Sequence, residues 1–282
     1  MMKKILSLLM VLSLVLLAAA GCGSDDKNAA NNNDNKDAEL IPIKVGGTPT
    51  PHGEILTALK DTLAEQGYDL QYVEYTDYIM PNNSVENEEI DANYFQHITY
   101  MNDFNEENGT HLVAIADVHY EPMGLYPGKV ATLEELPDGA TIGIPADPTN
   151  EARALLLLEA AGLITVNPDA GIKATPYDIT DNPKNLQFSE MEAAQLPRVL
   201  DDVDMAVING NYALQANLSA ATDAVIAEGE DSLAATMYVN VLAVKEGNEN
   251  DPKLQALADA LCSETAKAFI EEQYSGNVQT VF

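Results

Sequence analysis

The chain has 282 residues, 46% of them hydrophobic, enough to bury one large core or two smaller ones. Its net charge of −31 at pH 7 argues against binding nucleic-acid phosphates and against charge-driven attachment to anionic lipid. Most of its 45 acidic residues read as a solvated, repulsive surface that keeps the protein soluble.

The N-terminus reads as a targeting segment. Lys3 and Lys4 precede an apolar run from Ile5 to Ala18, and Ala19-Ala20-Gly21 leads into Cys22. Ala-Ala-Gly-Cys looks like the lipobox of bacterial lipoproteins, with Cys22 as the lipidated residue. Residues 1–21 are then a cleaved signal, and acyl chains supply the membrane anchor, each buried CH₂ contributing about 0.8 kcal/mol. From Gly23 to Glu39 the chain is Asn, Asp, Ala and Lys without a large apolar residue. It cannot bury a core, so 22–40 is expected to be the lipidated cysteine and a disordered tether.

Strand and helix signals then alternate. Ile41–Val45 is a short strand, and Ile55, Leu56, Leu59 and Leu63 mark a helix from Glu54 to Gln66 that Gly67 ends. Leu70–Tyr75 alternates as a strand, Ile90–Asn93 is extended, helix signals run to about Asn105, and Leu112–Val118 is a buried strand. A second series holds a strand at Thr141–Ile144, a helix from about Pro148 to Ala161, a strand near Leu186–Phe188 and a helix at Ala193–Leu200. Strands at Asp204–Asn209 and Met237–Val244 follow, with a terminal helical region from Asp251 to Glu272 that carries Cys262 as a small core residue.

The pattern predicts an α/β fold with a mainly parallel sheet and two lobes about a cleft. Lobe 1 is expected to comprise residues 41–121 and 240–282, and lobe 2 residues 122–239. The C-terminal helix is expected to pack on lobe 1.

The chain has only two arginines, Arg153 and Arg198. Arg153 lies in Asp147-Pro148-Thr149-Asn150-Glu151-Ala152-Arg153, where a strand end meets a helix start. Asp147 can cap that helix, Pro148 suits its first position, and the free N–H groups of the first turn favour an anion. Asn150 and Arg153 share a helical face. Two readings of Arg153 stand: it holds an anionic ligand with its guanidinium fork, or it pairs at the surface with Glu151 or Asp147. Tyr78, Phe95, His97 and Tyr100 form an aromatic cluster that is either plain core or an apolar pocket wall, one suited to a sulfur-containing side chain. Asn209 and Asn240 interrupt β-branched runs. Each amide can accept from an ammonium and donate to a carboxylate, although Asn209 before Gly210 also fits turn chemistry.

No Gly-x-Ser-x-Gly, P-loop, HExxH or paired CxxC motif is present, so no enzyme activity and no cofactor is expected. His52, His97, His111 and His119 are scattered without a ligand-like helical spacing, and no metal site is assigned. A site built from three of them stays open as an alternative.

Several segments together resemble the NlpA family of lipoproteins. They are Asp77-Tyr78-Ile79-Met80-Pro81-Asn82, Ile90-Asp91-Ala92-Asn93-Tyr94-Phe95-Gln96-His97, Tyr120-Glu121-Pro122-Met123-Gly124, Asp147-Pro148-Thr149-Asn150, Asn182-Pro183-Lys184-Asn185, Gln195-Leu196-Pro197-Arg198 and Tyr238-Val239-Asn240. The resemblance implies a two-lobe periplasmic-binding-protein fold that closes on a free amino acid, methionine foremost, for uptake through an ABC permease and its ATPase.

By the same resemblance Arg153 holds the α-carboxylate, Asn150, Asn209 and Asn240 complete the polar end, and Tyr78, Phe95, His97 and Tyr100 line the side-chain pocket. A monomer, lipid-anchored on the extracytoplasmic face of the cell membrane, is expected. Another amino acid, a small peptide or a metal ion are the alternative cargoes. The chain departs from the family at Gly210-Asn211, where a Thr pair is common, and partly in the loop from Thr48 to Gly53.

Overall fold

A computed structural model describes residues 39–282 except 230 and 231. The signal segment, Cys22 and the tether up to residue 38 lie outside the described residues.

The described elements begin with strand β1 (Ile41–Gly47), followed by helices α1 (Glu54–Ala58) and α2 (Lys60–Glu65), strand β2 (Tyr68–Glu74) and helix α3 (Met80–Glu86). Strand β3 (Ala92–His97) runs directly into helix α4 (Ile98–Asn108), and β4 (Leu112–Tyr120) leads into β5 (Gly124–Pro127). Next come β6 (Thr141–Pro145), α5 (Pro148–Ala160), the short strands β7 (Thr165–Val166) and β8 (Ile179–Asp181), β9 (Gln187–Met191) and β10 (Met205–Ile208). The described elements end with α6 (Gly210–Gln215), β11 (Ile226–Ala227), α7 (Leu233–Met237), β12 (Val239–Lys245), α8 (Pro252–Leu261), α9 (Glu264–Tyr274) and β13 (Gln279–Thr280).

Two main sheets result. One has the order β13-β4-β12-β3-β1-β2 and the other β11-β5-β10-β6-β9. Both are mixed, which corrects the expectation of a mainly parallel sheet. β1 pairs in parallel with β2 and β3, and β6 with β9 and β10. β12 pairs antiparallel with both β3 and β4. The physical reason lies in connectivity: β4 carries the chain out of the first sheet into the second and β12 carries it back, so the two lie side by side in opposite directions. The fold class expected, α/β with two sheet-centred halves, is what forms.

Each half has its own core. Ile43, Val45, Leu56, Leu59, Leu242 and Val244 pack with Leu254, Leu257, Leu261 and Ile270, so the C-terminal helices cover the first sheet. Ile142, Ile144, Leu155, Leu158, Met205 and Val207 form the core of the second. Fully burying one such side chain contributes about 1.5–3 kcal/mol.

Several boundaries differ from the sequence expectation. The helix predicted from Glu54 breaks at Leu59. The terminal helical region divides at Cys262, because Ser263 caps α9 by accepting from the Ala266 N–H at 3.2 Å. Cys262 is thus half-buried at the junction of two helices rather than inside one core helix. Ala193–Val199 is a 3₁₀ segment containing Pro197, whose missing N–H prevents a regular α-helix there. The strand predicted from Met237 starts at Val239, after α7.

Candidate ligand-binding site

Asp147 ends the turn after β6 and caps α5, accepting from the Asn150 backbone N–H at 3.1 Å and from Asn150 Nδ2 at 2.8 Å. Pro148 fills the first turn, as its spacing predicted. The same turn carries Asn150 and Arg153 inward, and they are only 1% and 4% exposed. Arg153 pairs with neither Glu151 nor Asp147, so the surface-pairing reading is corrected. Its Nε donates to Glu228 Oε1 at 2.9 Å, and its NH2 donates to Glu228 Oε2 at 2.6 Å and to the Glu121 carbonyl at 2.9 Å. The guanidinium lies over the Tyr238 ring, 4.3 Å from its centroid.

Burial acts to lower the pKa of Arg153, but the Glu228 carboxylate more than offsets this and holds the guanidinium above its ordinary value. Glu228 is the mirror case. Burial would raise it, and Arg153, the Met123 N–H and the Tyr120 hydroxyl bring it below the usual carboxylate range. Among the described residues, Arg153 NH1 makes no hydrogen bond.

The asparagines close around this point. Asn209 follows β10 at the start of α6, yet its side chain makes no cap bond. Its Nδ2 donates to Asn150 Oδ1 at 2.7 Å. Its Oδ1 is buried without a hydrogen-bond partner. A buried acceptor left unmade costs about 1–3 kcal/mol, and a ligand donor would satisfy it. Asn150 Oδ1 takes a second donor, His97 Nε2, at 3.1 Å. The tautomer of His97 follows from its other nitrogen, which accepts from the Tyr100 backbone N–H at 2.9 Å. Asn240 on β12 is hydrogen-bonded through Oδ1 to His52 Nε2 at 3.1 Å.

Tyr78 stacks near Phe95, Tyr100 and Tyr212, with ring centroids 5.8, 5.8 and 5.0 Å away. Its hydroxyl donates to Asn211 Oδ1 at 2.6 Å, and Tyr100 donates to the Tyr78 carbonyl at 3.1 Å. The Gly210-Asn211 departure thus has a local reason. Asn211 receives Tyr78, and a Cβ on Gly210 would sit 2.7 Å from Glu121 Cβ.

All eight residues singled out as ligand-binding, Arg153, Asn150, Asn209, Asn240, Tyr78, Phe95, His97 and Tyr100, line one cavity. Sequence reasoning missed Gln96, Glu121, Gly210 and Asn211, which line it too, and Glu228 and Tyr238, which fix Arg153. Glu121 stood in one of the quoted segments. Glu228 had no signal, because it lies 75 positions from Arg153 among many solvated acids.

His52, His119 and Glu121 also come together, buried, with candidate ligand atoms within 4.8 Å of one another, a set that could hold a metal ion. Only two of the four histidines contribute. His97 stands across the cavity at Asn150, and His111 is exposed beside Glu86. The set is already saturated by hydrogen bonds. Glu121 Oε1 lies 2.8 Å from His119 Nε2 and 3.4 Å from His52 Nε2. The outer nitrogens meet the Tyr94 and Thr48 hydroxyls.

Burial lowers the pKa of His52 to about 4 and of His119 to about 3. In the unfolded chain His119 would take its proton near 6.5 instead. The unfolded state therefore binds the extra proton first as pH falls through that window, and stability drops with it. His119→Gln is expected to lose less stability than wild type between pH 6.5 and about 4. Denaturant midpoints at the two pH values measure this, and an equal acid loss in both proteins would contradict a ring held neutral.

The model of the NlpA lipoprotein family matches residues 43–282. The membrane lipoprotein TpN32 of Treponema pallidum is 43% identical over 83% of this chain and 86% of its own length. The methionine-binding lipoprotein MetQ of Bacillus subtilis is 38% identical over 99% of each. The structure of a nutrient binding protein from Burkholderia cenocepacia bound to methionine is 39% identical, with a TM-score of 0.81, covering 85% of this chain and 100% of that one. A periplasmic substrate-binding protein of an ABC transporter from Coxiella burnetii superposes with a TM-score of 0.79 at 40% identity, covering 85% of this chain and 100% of its own. With the match running through both sheets and the cavity between them, the chain belongs to the NlpA lipoprotein family.

Proposed function

We propose that this protein is the substrate-binding lipoprotein of an ABC importer and that it binds methionine without transforming it. It would be anchored through Cys22 on the extracytoplasmic face of the cell membrane. It would act as a monomer, delivering its ligand to a permease driven by an ATPase. Residues 41–121 with 240–282 and residues 122–239 would close as two lobes over the cavity.

One observation carries the reading. A buried acceptor, Asn209 Oδ1, has no partner, and a donor, Arg153 NH1, has no hydrogen bond among the described residues, while both residues line the same cavity. That pairing suits a zwitterion. NH1 would donate to the α-carboxylate, with Asn240 Nδ2, likewise unengaged, beside it. Asn209 Oδ1 would accept from the α-ammonium. Asn150, whose Oδ1 already takes two protein donors, holds Asn209 in place. Tyr78, Phe95, His97 and Tyr100 would enclose the thioether, and sulfur–aromatic contacts contribute about 0.3–1.5 kcal/mol each.

Mass spectrometry of the ligand released from purified protein is expected to find methionine. Calorimetry of the stripped protein is expected to give saturable methionine binding that Asn209→Ala weakens. A different amino acid or a dipeptide in the released fraction would change the cargo and keep the class. The second reading, a metal-binding subunit, rests on His52, His119 and Glu121. Purified protein holding zinc or manganese and no organic ligand would replace the first reading with it.

A further inference from the structure

The charges around the cavity do not balance. Arg153 and Glu228 neutralise each other through bonds of 2.9 and 2.6 Å. Glu121 is left over, buried at 5% exposure in the wall of the same cavity. Its surroundings supply neutral donors only. The His119 and His52 imidazoles stand 2.8 and 3.4 Å from its Oε1, and the backbone N–H of Asn211 favours its charged form. The missing side chain of Gly210 permits this packing, since a Cβ there would lie 2.9 Å from Glu121 Oε2. Burial pushes the Glu121 carboxyl upward, against the pull of His52 and Arg153. A carboxylate held by oriented donors but lacking a cation of its own is most stabilised when the ligand brings one.

We propose that Glu121 is the specificity-determining counter-charge for the α-ammonium of the ligand, so that the cavity takes compounds with a free α-amino group and rejects equally shaped anions without one. The inference rests on the amino-acid-binding reading above. A zwitterion adds no net charge and sets its ammonium toward Glu121. A 2-hydroxy acid of the same shape adds a second buried anion and no cation. Asn209 Oδ1 can accept from a hydroxyl as well as from an ammonium, so comparing the two ligands isolates the charge.

The test is calorimetry on the full chain with methionine and with its 2-hydroxy analogue, in wild type and in Glu121→Gln. Wild type is expected to prefer methionine by on the order of 100-fold. In Glu121→Gln methionine should weaken while the hydroxy acid holds or improves, so that the preference falls below about tenfold. A merely structural role for Glu121 would weaken both ligands alike and keep the ratio. An undiminished preference in Glu121→Gln overturns the proposal. So does a wild-type protein that binds both ligands within about tenfold, a comparison needing no variant to fold. Failure of wild type to bind either ligand would instead overturn the amino-acid reading itself, and the role of Glu121 with it.

Discussion

Replacing Arg153 with alanine is expected to weaken methionine binding by roughly 2–5 kcal/mol, because the ligand carboxylate would enter a buried cavity with no cation to meet it. The structure sharpens how that loss arises. Two edges of the guanidinium are committed to Glu228 and the Glu121 carbonyl, which leaves NH1 for the ligand. The expected contact is therefore through one nitrogen, not the two-pronged fork that the residue type alone would indicate. Calorimetry of Arg153→Ala measures the loss, and near-normal affinity would show that the carboxylate is read elsewhere, with Asn240 the first candidate.

Glu228→Ala should act mainly on the fold. Both members of its pair with Arg153 are buried, at 5% and 7% side-chain exposure. Removing one partner of such a pair typically costs about 3–5 kcal/mol, since the other charge is left uncompensated. Glu228 also receives the Tyr120 hydroxyl at 2.7 Å and the Met123 N–H at 2.8 Å. Its loss would thus loosen the strand that crosses from one sheet to the other. Urea denaturation measures the cost. The double variant Arg153→Ala with Glu228→Ala is expected to be less destabilised than the sum of the single ones, because neither charge is then stranded. Strict additivity would mean that the two residues are not energetically coupled.

These two expectations describe one design. Glu228, the Tyr238 face and the Glu121 carbonyl hold the guanidinium from three sides, which suits the anion-binding role proposed for it. The asparagines follow the same logic. Asn150 lines the cavity, yet its amide is spent on His97, Asn209 and Asp147. It orients Asn209 by accepting from its Nδ2 at 2.7 Å, the positioning part proposed for it. The residues with open valences are the ones suited to reading a ligand, and the saturated ones are the frame.

Much of this was legible in the chain itself. The cap at Asp147-Pro148, the shared helical face of Asn150 and Arg153 and the alternation of strand and helix all follow from local rules. Neighbours along the backbone decide capping, periodicity and helical faces. The aromatic residues could be singled out because Tyr78, Phe95, His97 and Tyr100 fall close together in the chain, although only the family resemblance made them a pocket wall rather than plain core. Local rules failed where the outcome depended on residues far apart. The antiparallel pairing of β12 with β3 and β4 arises from two crossing strands separated by more than a hundred positions.

By itself, then, the sequence determined the class of fold and the helix start that presents Arg153, and its resemblance to a known family named eight of the twelve residues lining the cavity. Only the tertiary structure decided the partners of those side chains. It joined Arg153 to Glu228, set two neutral imidazoles against Glu121 and left Asn209 with an unmade bond. The reason is physical. Backbone geometry and hydrophobic period act over a few residues and leave a trace in the order of residue types. The pairing of buried charges is settled by which atoms are left without water once both halves have packed, and one acid among forty-five carries no mark of that.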